Sequence, residues 1–288
     1  MPRSRPVDDF ELIYDRAGSG PGAILLHGWP GDRGDYRDVI PLLSDFADVV
    51  VPDLRGFGES DKHPMAAAEG YSADAQAHSV ARLIDELGLG PAVIAGYDVG
   101  SRVAQTVARA FPDRVRALVL SPPVPGAGDR VLTPEAQREF WYQAFHQLSL
   151  VEELIDGRVD AVRAYLAHFW SHWSGPSFDQ EDAELDRLAG VYGAPGAFTA
   201  SIAWYRAGSG TVATSLRELA GGAPDPIAVP STVLWPEHDP LFPRDWGDRL
   251  GDFFAELTIT TLPGVGHFVP REAASELAGA VRAALARA

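Results

Sequence analysis

Short apolar segments alternate with amphipathic helical patterns through the first 120 residues, and this alternation limits the fold more than any other feature of the sequence. The strand-like segments lie at residues 8–15, 23–26, 48–51, 92–95 and 117–120, and the helical patterns lie at 72–87 and 100–110. Short apolar runs bounded by turn residues are typical of buried strands in parallel sheets. We therefore expect a mostly parallel sheet covered by helices.

The character of the sequence changes after Ser121, where prolines at positions 122, 123 and 125 interrupt the pattern. From residue 133 to 220 the chain is helical in pattern, rich in aromatic residues and without strand-like runs. Strand patterns resume at 231–235 and 257–262, and a closing helix fits 271–286. These shifts predict one α/β core, residues 1–124 and 222–288, interrupted by a helical insertion at 125–221.

The composition limits the chemistry that the chain can perform. None of its 288 residues is a cysteine, which excludes disulfides, thiolate nucleophiles and cysteine-ligated metals. No stretch approaches the ~18 apolar residues of a membrane span, and the first residues lack the apolar run of a signal peptide. The formal net charge of −16 disfavours nucleic acid as a partner. We expect a cytoplasmic protein with no membrane partner, and the histidines at 63, 78 and 168 show no metal-ligand pattern.

Residues 96–100, with the sequence Gly-Tyr-Asp-Val-Gly, stand between a predicted strand and a predicted helix. A sharp strand-to-helix turn needs glycine where backbones pack closely, and it presents its central side chain above the sheet. The N-terminus of the following helix favours an anion at that side chain. Asp98 is therefore the candidate nucleophile, although an ordinary polar turn would account for the same five residues.

Two further segments, each directly after a predicted strand or in the loop that follows it, can complete a site around Asp98. Residues 27–30 (His-Gly-Trp-Pro) follow the strand at 23–26, where the backbone N–H of Trp29 would join that of Val99 in holding an oxyanion. His267 follows the strand at 257–262 and is the candidate general base. A strand-ending turn and a structural histidine are the alternative interpretations of these two segments.

Three polar residues follow the strand at 231–235 and compete for the role of orienting His267. Asp239 is the predicted partner, and Glu237 and His238 are its competitors. With Asp239 in this role, the order along the chain is nucleophile, acid, base, which is the order in the α/β-hydrolase fold.

Taken together, these segments resemble the α/β-hydrolase superfamily, from His27 to the Gly-His-Phe motif at 266–268 and the helix after it. Residues 53–61 (DLRGFGESD) are also similar to that family's DxRGxGxSD segment. The resemblance implies the α/β-hydrolase fold, with a mostly parallel central sheet and a helical cap inserted after the sixth strand. An aspartate at position 98 restricts the resemblance to epoxide hydrolases and hydrolytic dehalogenases.

There is a chemical reason for an aspartate nucleophile. Attack by serine on a saturated carbon would give an ether, which water does not readily cleave. Attack by a carboxylate gives an ester, which water activated by His267 can hydrolyse. Asp98 therefore indicates attack on a saturated carbon of an epoxide or a carbon–halogen compound, by which the carboxylate is alkylated. It disfavours an ester or amide substrate.

Two tyrosines in the helical insertion favour the epoxide, because an alkoxide leaving group needs a proton from a weak acid. Residues 140–143 (FWYQ) and 203–206 (AWYR) resemble the two cap segments of soluble epoxide hydrolases, which implies that Tyr142 and Tyr205 are the proton donors. The candidate substrate-binding residues are Gln143, Trp204, Trp170 and Trp173, for which core packing is the alternative interpretation.

The dehalogenase signatures fit less well. Haloalkane dehalogenases carry tryptophan after the nucleophile, where this chain has Val99, and fluoroacetate dehalogenases carry arginine there. Arg102 nevertheless matches the second arginine of the fluoroacetate enzymes. We predict an epoxide hydrolase that needs water and no cofactor, with a haloacid or fluoroacetate dehalogenase as the alternative. A non-catalytic small-molecule-binding protein is the third interpretation, and a homodimer stays open.

Overall fold

The computed structural model describes residues 1–179, 181–221 and 224–287. Seven strands form one sheet in these ranges: β1 (Tyr14–Gly18), β2 (Gly22–Leu26), β3 (Asp48–Pro52), β4 (Ala92–Gly96), β5 (Val115–Leu120), β6 (Ser231–Pro236) and β7 (Leu257–Leu262). The helices of the first half are α1 (Ile40–Leu43), α2 (Ala67–Gly70), α3 (Ala73–Leu87) and α4 (Val99–Ala110).

Within the described residues, seven further helices lie between β5 and β6, and two follow β7. The first group is α5 (Pro134–Glu139), α6 (Trp141–Phe145), α7 (Leu150–Leu154), α8 (Val159–Trp173), α9 (Asp182–Tyr192), α10 (Ala197–Arg206) and α11 (Thr211–Gly221). The second group is α12 (Val269–Glu272) and α13 (Ala274–Ala286). Short 3-10 helices cover Arg33–Tyr36, Pro112–Arg114, Gly128–Leu132 and Arg244–Asp252.

The strands follow the order β1-β3-β2-β4-β5-β6-β7, in which β1 is antiparallel to β3 and every other neighbouring pair is parallel. All five residues of β2 and of β4 are buried. Helices α4 and α13 both contact β4 and β5, while α3 packs beside α4 and α1 beside α13. The apolar runs of the sequence are therefore parallel strands covered by helices, as the alternation predicts. The carboxyl ends of β2, β4, β5, β6 and β7 meet at one edge, where loops can bring reactive side chains together.

The predicted N-terminal strand at 8–15 begins only at Tyr14. Asp8 and Asp9 have positive φ angles of 51° and 68°, and a single bridge pairs Val7 with Phe10, so this segment turns back on itself. The helical segment follows β5, the fifth strand of the described sheet, whereas the resemblance implied a position after a sixth strand. The other predicted strands all form, and β7 has the predicted bounds.

The elements described between β5 and β6 are all helices, and their aromatic side chains share one apolar core with the sheet. The division into a core and a cap at 125–221 remains a proposal, and the predicted return of the core at residue 222 lies outside the described residues. No helix in the described ranges is both long and apolar enough to cross a membrane.

Candidate active site

Asp98 occupies a strained turn between β4 and α4. Its φ and ψ angles are 50° and −122°, a region that costs roughly 1–3 kcal/mol for a residue with a side chain. A Cβ at Gly96 would lie 2.4 Å from the carbonyl oxygen of Gly100, and one at Gly100 would lie 2.0 Å from that of Leu26. Both glycines are therefore required by close backbone approach, and the turn they permit places Asp98 at the carboxyl end of β4.

Trp29, in the loop after β2, binds the Asp98 carboxylate through its backbone. The Trp29 N–H donates to Asp98 Oδ1 at 2.7 Å. The loop is held by His27, whose Nδ1 lies 2.9 Å from the Gly28 carbonyl oxygen and whose Nε2 accepts from the Leu54 N–H at 3.0 Å. Val99 is the first residue of α4, so the predicted second amide belongs to a helix N-terminus beside the carboxylate.

His267 lies between two carboxylates at the ends of β6 and β4. Its Nδ1 is 2.9 Å from Asp239 Oδ2, and its Nε2 is 3.5 Å from Asp98 Oδ2. Asp239 is fixed in turn, since its Oδ1 accepts from the Leu241 N–H at 2.9 Å. Because Nδ1 faces a carboxylate, Nδ1 carries the proton and Nε2 is the nitrogen that can exchange a proton near Asp98.

The competing acid Glu237 points elsewhere. Its side chain is about half exposed and accepts a hydrogen bond from the Gly264 N–H at 2.9 Å. His238 is also half exposed. Of the three candidates, the structure places only Asp239 against His267 within the described residues.

The two carboxylates change the proton affinity of His267. Burial of the ring opposes the positive charge, but the charge and hydrogen bond of Asp239, with those of Asp98, outweigh it and raise the pKa of His267 to about 10. With both carboxylates ionised, His267 is therefore protonated at neutral pH.

Tyr142 and Tyr205 pack against each other and against the Trp29 ring. Their ring centroids are 5.5 Å apart with perpendicular planes, and the Tyr142 ring lies parallel to that of Trp29 at 5.8 Å. Burial, reinforced by the negative charge of Asp98, raises the pKa of both phenols well above the usual value. Both hydroxyls thus stay protonated, and both rings pack on Trp29, the residue whose backbone N–H binds Asp98.

The family model described as "alpha/beta hydrolase fold" matches residues 24–274. The chain belongs to this family. It is 30% identical to the soluble epoxide hydrolase of Corynebacterium sp. (strain C12), over 92% of this chain and 90% of that protein. It is 31% identical to the fluoroacetate dehalogenase of Burkholderia sp., over 91% of this chain and 86% of that protein. In fold it is similar to the solved structure of the epoxide hydrolase CorEH, with a TM-score of 0.85, 24% identity, and coverage of 99% of this chain and 98% of that one.

The predicted family and fold are confirmed, and this alpha/beta hydrolase is a hydrolytic enzyme. The roles of its individual residues stay predictions. Among the described residues, no group of three or more histidine, aspartate or glutamate side chains is arranged to hold a metal ion.

The remaining predicted residues of this hydrolase occupy different places. Trp173 lies between base and proton donor, with its ring centroid 5.1 Å from that of His267 and 5.3 Å from that of Tyr142. Gln143 donates to the Tyr142 hydroxyl at 3.2 Å. Trp170 instead stacks on Phe268 at 3.7 Å, behind the His267 loop.

Trp204 is buried on α10 next to Tyr205. Neighbouring residues on a helix point about 100° apart, so a position beside Tyr205 does not by itself bring Trp204 to Asp98. Substrate contact by Trp204 and by Trp170 stays a prediction, with core packing as the simpler role.

His146 is a buried polar residue near the tyrosines that the sequence analysis did not select. Its ring centroid is 4.9 Å from that of Tyr205 and 5.2 Å from that of Trp29, and its Nε2 lies 3.0 Å from the Tyr165 hydroxyl. Burial, with the nearby charge of Arg206, lowers the pKa of His146 to about 3, so the ring is neutral. The i, i+4 spacing from Tyr142 places both on one helical face and was the available signal.

Proposed function

We propose that this hydrolase converts an epoxide to a vicinal diol through a covalent ester of Asp98. The observation that carries the proposal is the pair of buried, protonated tyrosines, Tyr142 and Tyr205, packed on the ring of Trp29, whose N–H binds the Asp98 carboxylate. An epoxide opens to an alkoxide that must be protonated, and two phenols near the nucleophile supply that proton. The relative named soluble epoxide hydrolase supports the same activity.

In the first step, Asp98 attacks one carbon of the epoxide. Oδ1 is engaged by the Trp29 N–H, so Oδ2 is the oxygen that forms the new bond to carbon. The carbon–oxygen bond of the ring breaks, and a tyrosine hydroxyl gives its proton to the oxygen that departs. The products of this step are a hydroxyalkyl ester of Asp98 and a tyrosinate shared by the pair.

In the second step, water adds to the carboxyl carbon of Asp98. His267 Nε2 takes one proton from the water, and negative charge develops on Oδ1, where the Trp29 N–H already lies and the Val99 N–H is expected. The ester bond to Oδ2 then breaks, and His267 returns the proton to the departing diol. Asp98 emerges as an acid containing one oxygen from water, and its proton passes to His267, which restores the carboxylate and the protonated ring of the free enzyme.

The raised pKa of His267 fits this order of events. In the free enzyme the ionised Asp98 helps to hold the pKa at about 10, which keeps His267 protonated and unable to act as a base. Alkylation converts Asp98 to a neutral ester and removes its contribution, while burial continues to disfavour the charged ring. The first step therefore lowers the pKa of His267, whose extra proton passes to the tyrosinate, and the neutral ring is the base that the second step needs.

A hydrolytic dehalogenase is the second candidate, supported by the fluoroacetate dehalogenase relative. Such an enzyme would need a cation for the substrate carboxylate, and Arg102 is the matching residue. In the structure, the Arg102 guanidinium donates to the Val124 carbonyl oxygen at 3.2 Å and lies 3.6 Å from Glu218. Because its charge is already compensated by Glu218, Arg102 is poorly suited to bind a carboxylate, which favours the epoxide.

A product screen distinguishes the two candidates. The purified enzyme is offered a panel of neutral epoxides and a panel of 2-haloacids that includes fluoroacetate, and diol and halide are measured. We expect diol from at least one epoxide and no halide from fluoroacetate. Halide release without diol formation would leave the dehalogenase as the function.

Removal of either phenol is expected to slow ring opening. Tyr142→Phe and Tyr205→Phe keep the rings and their packing but each deletes one donor. Since the two hydroxyls can partly replace each other, we expect each variant to lose about 10²-fold in the alkylation rate, the low end for general acid catalysis, and the double variant to lose much more. Stopped-flow measurement of a single turnover gives this rate.

Tyr165→Phe is the matched control for the tyrosine pair. Tyr165 belongs to the same aromatic cluster, but its hydroxyl is bonded to His146. The alkylation rate of the Tyr165→Phe variant should stay within a few-fold of that of the native enzyme. An indifferent Tyr142→Phe variant would argue against proton donation by that residue.

Asp239→Asn is expected to slow hydrolysis of the ester, because Asp239 holds the proton on His267 Nδ1 and thereby leaves Nε2 to act. We expect a loss of about 10²-fold in the hydrolysis rate, less than for removal of His267 itself. Glu237→Gln is the matched control, since that carboxylate lies at the protein surface. The rates come from decay of the alkylated enzyme, and a larger loss in Glu237→Gln than in Asp239→Asn would reverse the assignment.

A further inference from the structure

The reactive side chains of the proposed mechanism are almost completely buried. Asp98 is 6% exposed, His267 and Tyr142 1%, and Tyr205 4%. A substrate must therefore reach them through an opening that begins at the surface and ends at one of these four groups.

One cavity of about 350 Å³ meets this requirement, among α5, α6, the end of α10 and α11. Its mouth is formed by exposed residues, of which Ala144 and Leu216 are apolar, and its buried lining includes Phe140, Gln143 and Tyr205. The cavity therefore runs from the protein surface to one of the two proposed proton donors. Its volume lies within the range of small-molecule pockets.

Gln143 is a buried residue of the cavity lining with two hydrogen bonds. Its Nε2 donates to the Tyr142 hydroxyl at 3.2 Å, and its Oε1 accepts from the Val212 N–H at 3.1 Å. The amide thus bridges the first residues of α11 and the phenol of Tyr142. A Cβ at Gly210 would lie 2.7 Å from Gln143 Oε1 and 2.9 Å from the Tyr205 ring, so the backbone of the preceding loop closes tightly on both residues.

The lining of the cavity suits an uncharged apolar group. Phe140, Val212, Ala213 and Leu216 contribute hydrocarbon. Arg206 is the one charged residue in the lining, and its guanidinium is already engaged by the His146 carbonyl oxygen and by Glu152. An anionic substituent would therefore find no uncommitted cation among the residues that line this cavity.

We propose that this cavity, which we call the α6–α11 cavity, admits the epoxide and holds its apolar substituent, with Gln143 as the gate to the tyrosines. The inference rests on the proposed epoxide hydrolase activity and adds to it the class of substrate: neutral epoxides with an aromatic or aliphatic substituent larger than methyl. Rotation of the Gln143 side chain exchanges its two hydrogen bonds for contact between the epoxide oxygen and the Tyr142 hydroxyl.

The test compares two epoxides that differ in the size of the substituent. Styrene oxide carries a phenyl ring and propylene oxide carries a methyl group. Ala213→Phe fills the α6–α11 cavity from the wall, and Ala144→Phe fills it from the exposed mouth, where a larger side chain is tolerated. For each protein, kcat/KM is measured with both epoxides, and thermal unfolding verifies that the variant is folded.

Ser171→Phe is the matched control. Ser171 is exposed and lines a separate cavity of about 450 Å³ beside Trp170, to which none of the four reactive side chains contributes. We expect the ratio of kcat/KM for styrene oxide to that for propylene oxide to fall about 10-fold or more in both filled variants. The same ratio should stay within about 2-fold of the native value in Ser171→Phe.

An unchanged ratio in folded Ala213→Phe and Ala144→Phe would overturn the inference while the native enzyme still produces diol, so the proposed function would stand. An equal fall in Ser171→Phe would overturn it as well, because the effect would not belong to the α6–α11 cavity. If the native enzyme opens neither epoxide nor any other neutral epoxide, the proposed function fails first and the inference fails with it.

Discussion

Asp98→Ala is expected to abolish turnover, with a loss of about 10⁴-fold or more in kcat, because no other described side chain is placed to form the ester. The variant should remain folded, since the close backbone packing at Gly96 and Gly100 is unchanged and the substitution removes only the bond from the Trp29 N–H. Thermal unfolding of the variant and the native enzyme checks this. Residual turnover above one-hundredth of the native rate would mean that water attacks the substrate without a covalent step.

Isotope labelling tests the same step in the native enzyme. In one turnover in water enriched in oxygen-18, with enzyme in excess, one diol oxygen comes from the epoxide and the other from Asp98. The oxygen of water enters the Asp98 carboxylate. We expect label in the peptide that contains Asp98 and none in the diol of the first turnover. Label in that first diol would contradict the ester intermediate.

Asp98→Asn removes the negative charge of the nucleophile while keeping a side chain of nearly the same shape. Asparagine tolerates a positive φ angle about as well as aspartate and can keep an oxygen facing the Trp29 N–H. Removing the negative charge removes one of the two influences that raise the pKa of His267, so that pKa should fall below about 10. Nuclear magnetic resonance of the His267 ring measures the shift.

His267→Gln is expected to stop the reaction after the first step. Ester hydrolysis should slow by about 10²- to 10⁴-fold, the usual contribution of a general base, while alkylation slows less. Alkylated enzyme then accumulates, and mass spectrometry should find the peptide containing Asp98 heavier by the mass of the epoxide. A variant that binds substrate but forms no adduct would show that His267 acts in the first step or is not the base.

The pH dependence of the native enzyme provides a second check on His267. The neutral ring is the active form in ester hydrolysis, so the hydrolysis rate should rise with pH and level off above the pKa of His267 in the alkylated enzyme. Because the ester carries no charge, that pKa must lie below the value of about 10 in the free enzyme. A hydrolysis rate that falls as pH rises would exclude a neutral histidine as the base.

The fold was predictable because apolar periodicity is a local property. The strand at Leu257–Leu262 and the helix at Ala73–Leu87 both follow from spacing that the folded chain preserves. The N-terminal strand was placed too early, since the alternating pattern of residues 8–15 carries no sign that two aspartates adopt positive φ angles.

The site was less predictable where several similar residues lie close together in the sequence. Asp239 and Glu237 are separated by two positions after the same strand, and only the course of the loop turns one inward and the other to solvent. In the same way, Trp170 and Trp173 lie three positions apart on α8, yet Trp173 contacts His267 and Trp170 stacks on Phe268. Oligomeric state and the expected cytoplasmic location depend on surfaces and partners, and both stay predictions.

Trp29 makes two separate contacts in the site, one through its backbone and one through its ring. Its backbone N–H binds Asp98, and its ring packs against the rings of Tyr142 and Tyr205. Every residue except proline has a backbone N–H, so a substitution at position 29 can leave the bond to Asp98 in place while the surface beside the tyrosines changes. Divergence at this position can therefore alter which substrates are accepted without dismantling the chemistry, and position 29 is a natural starting point for directed evolution of new selectivity.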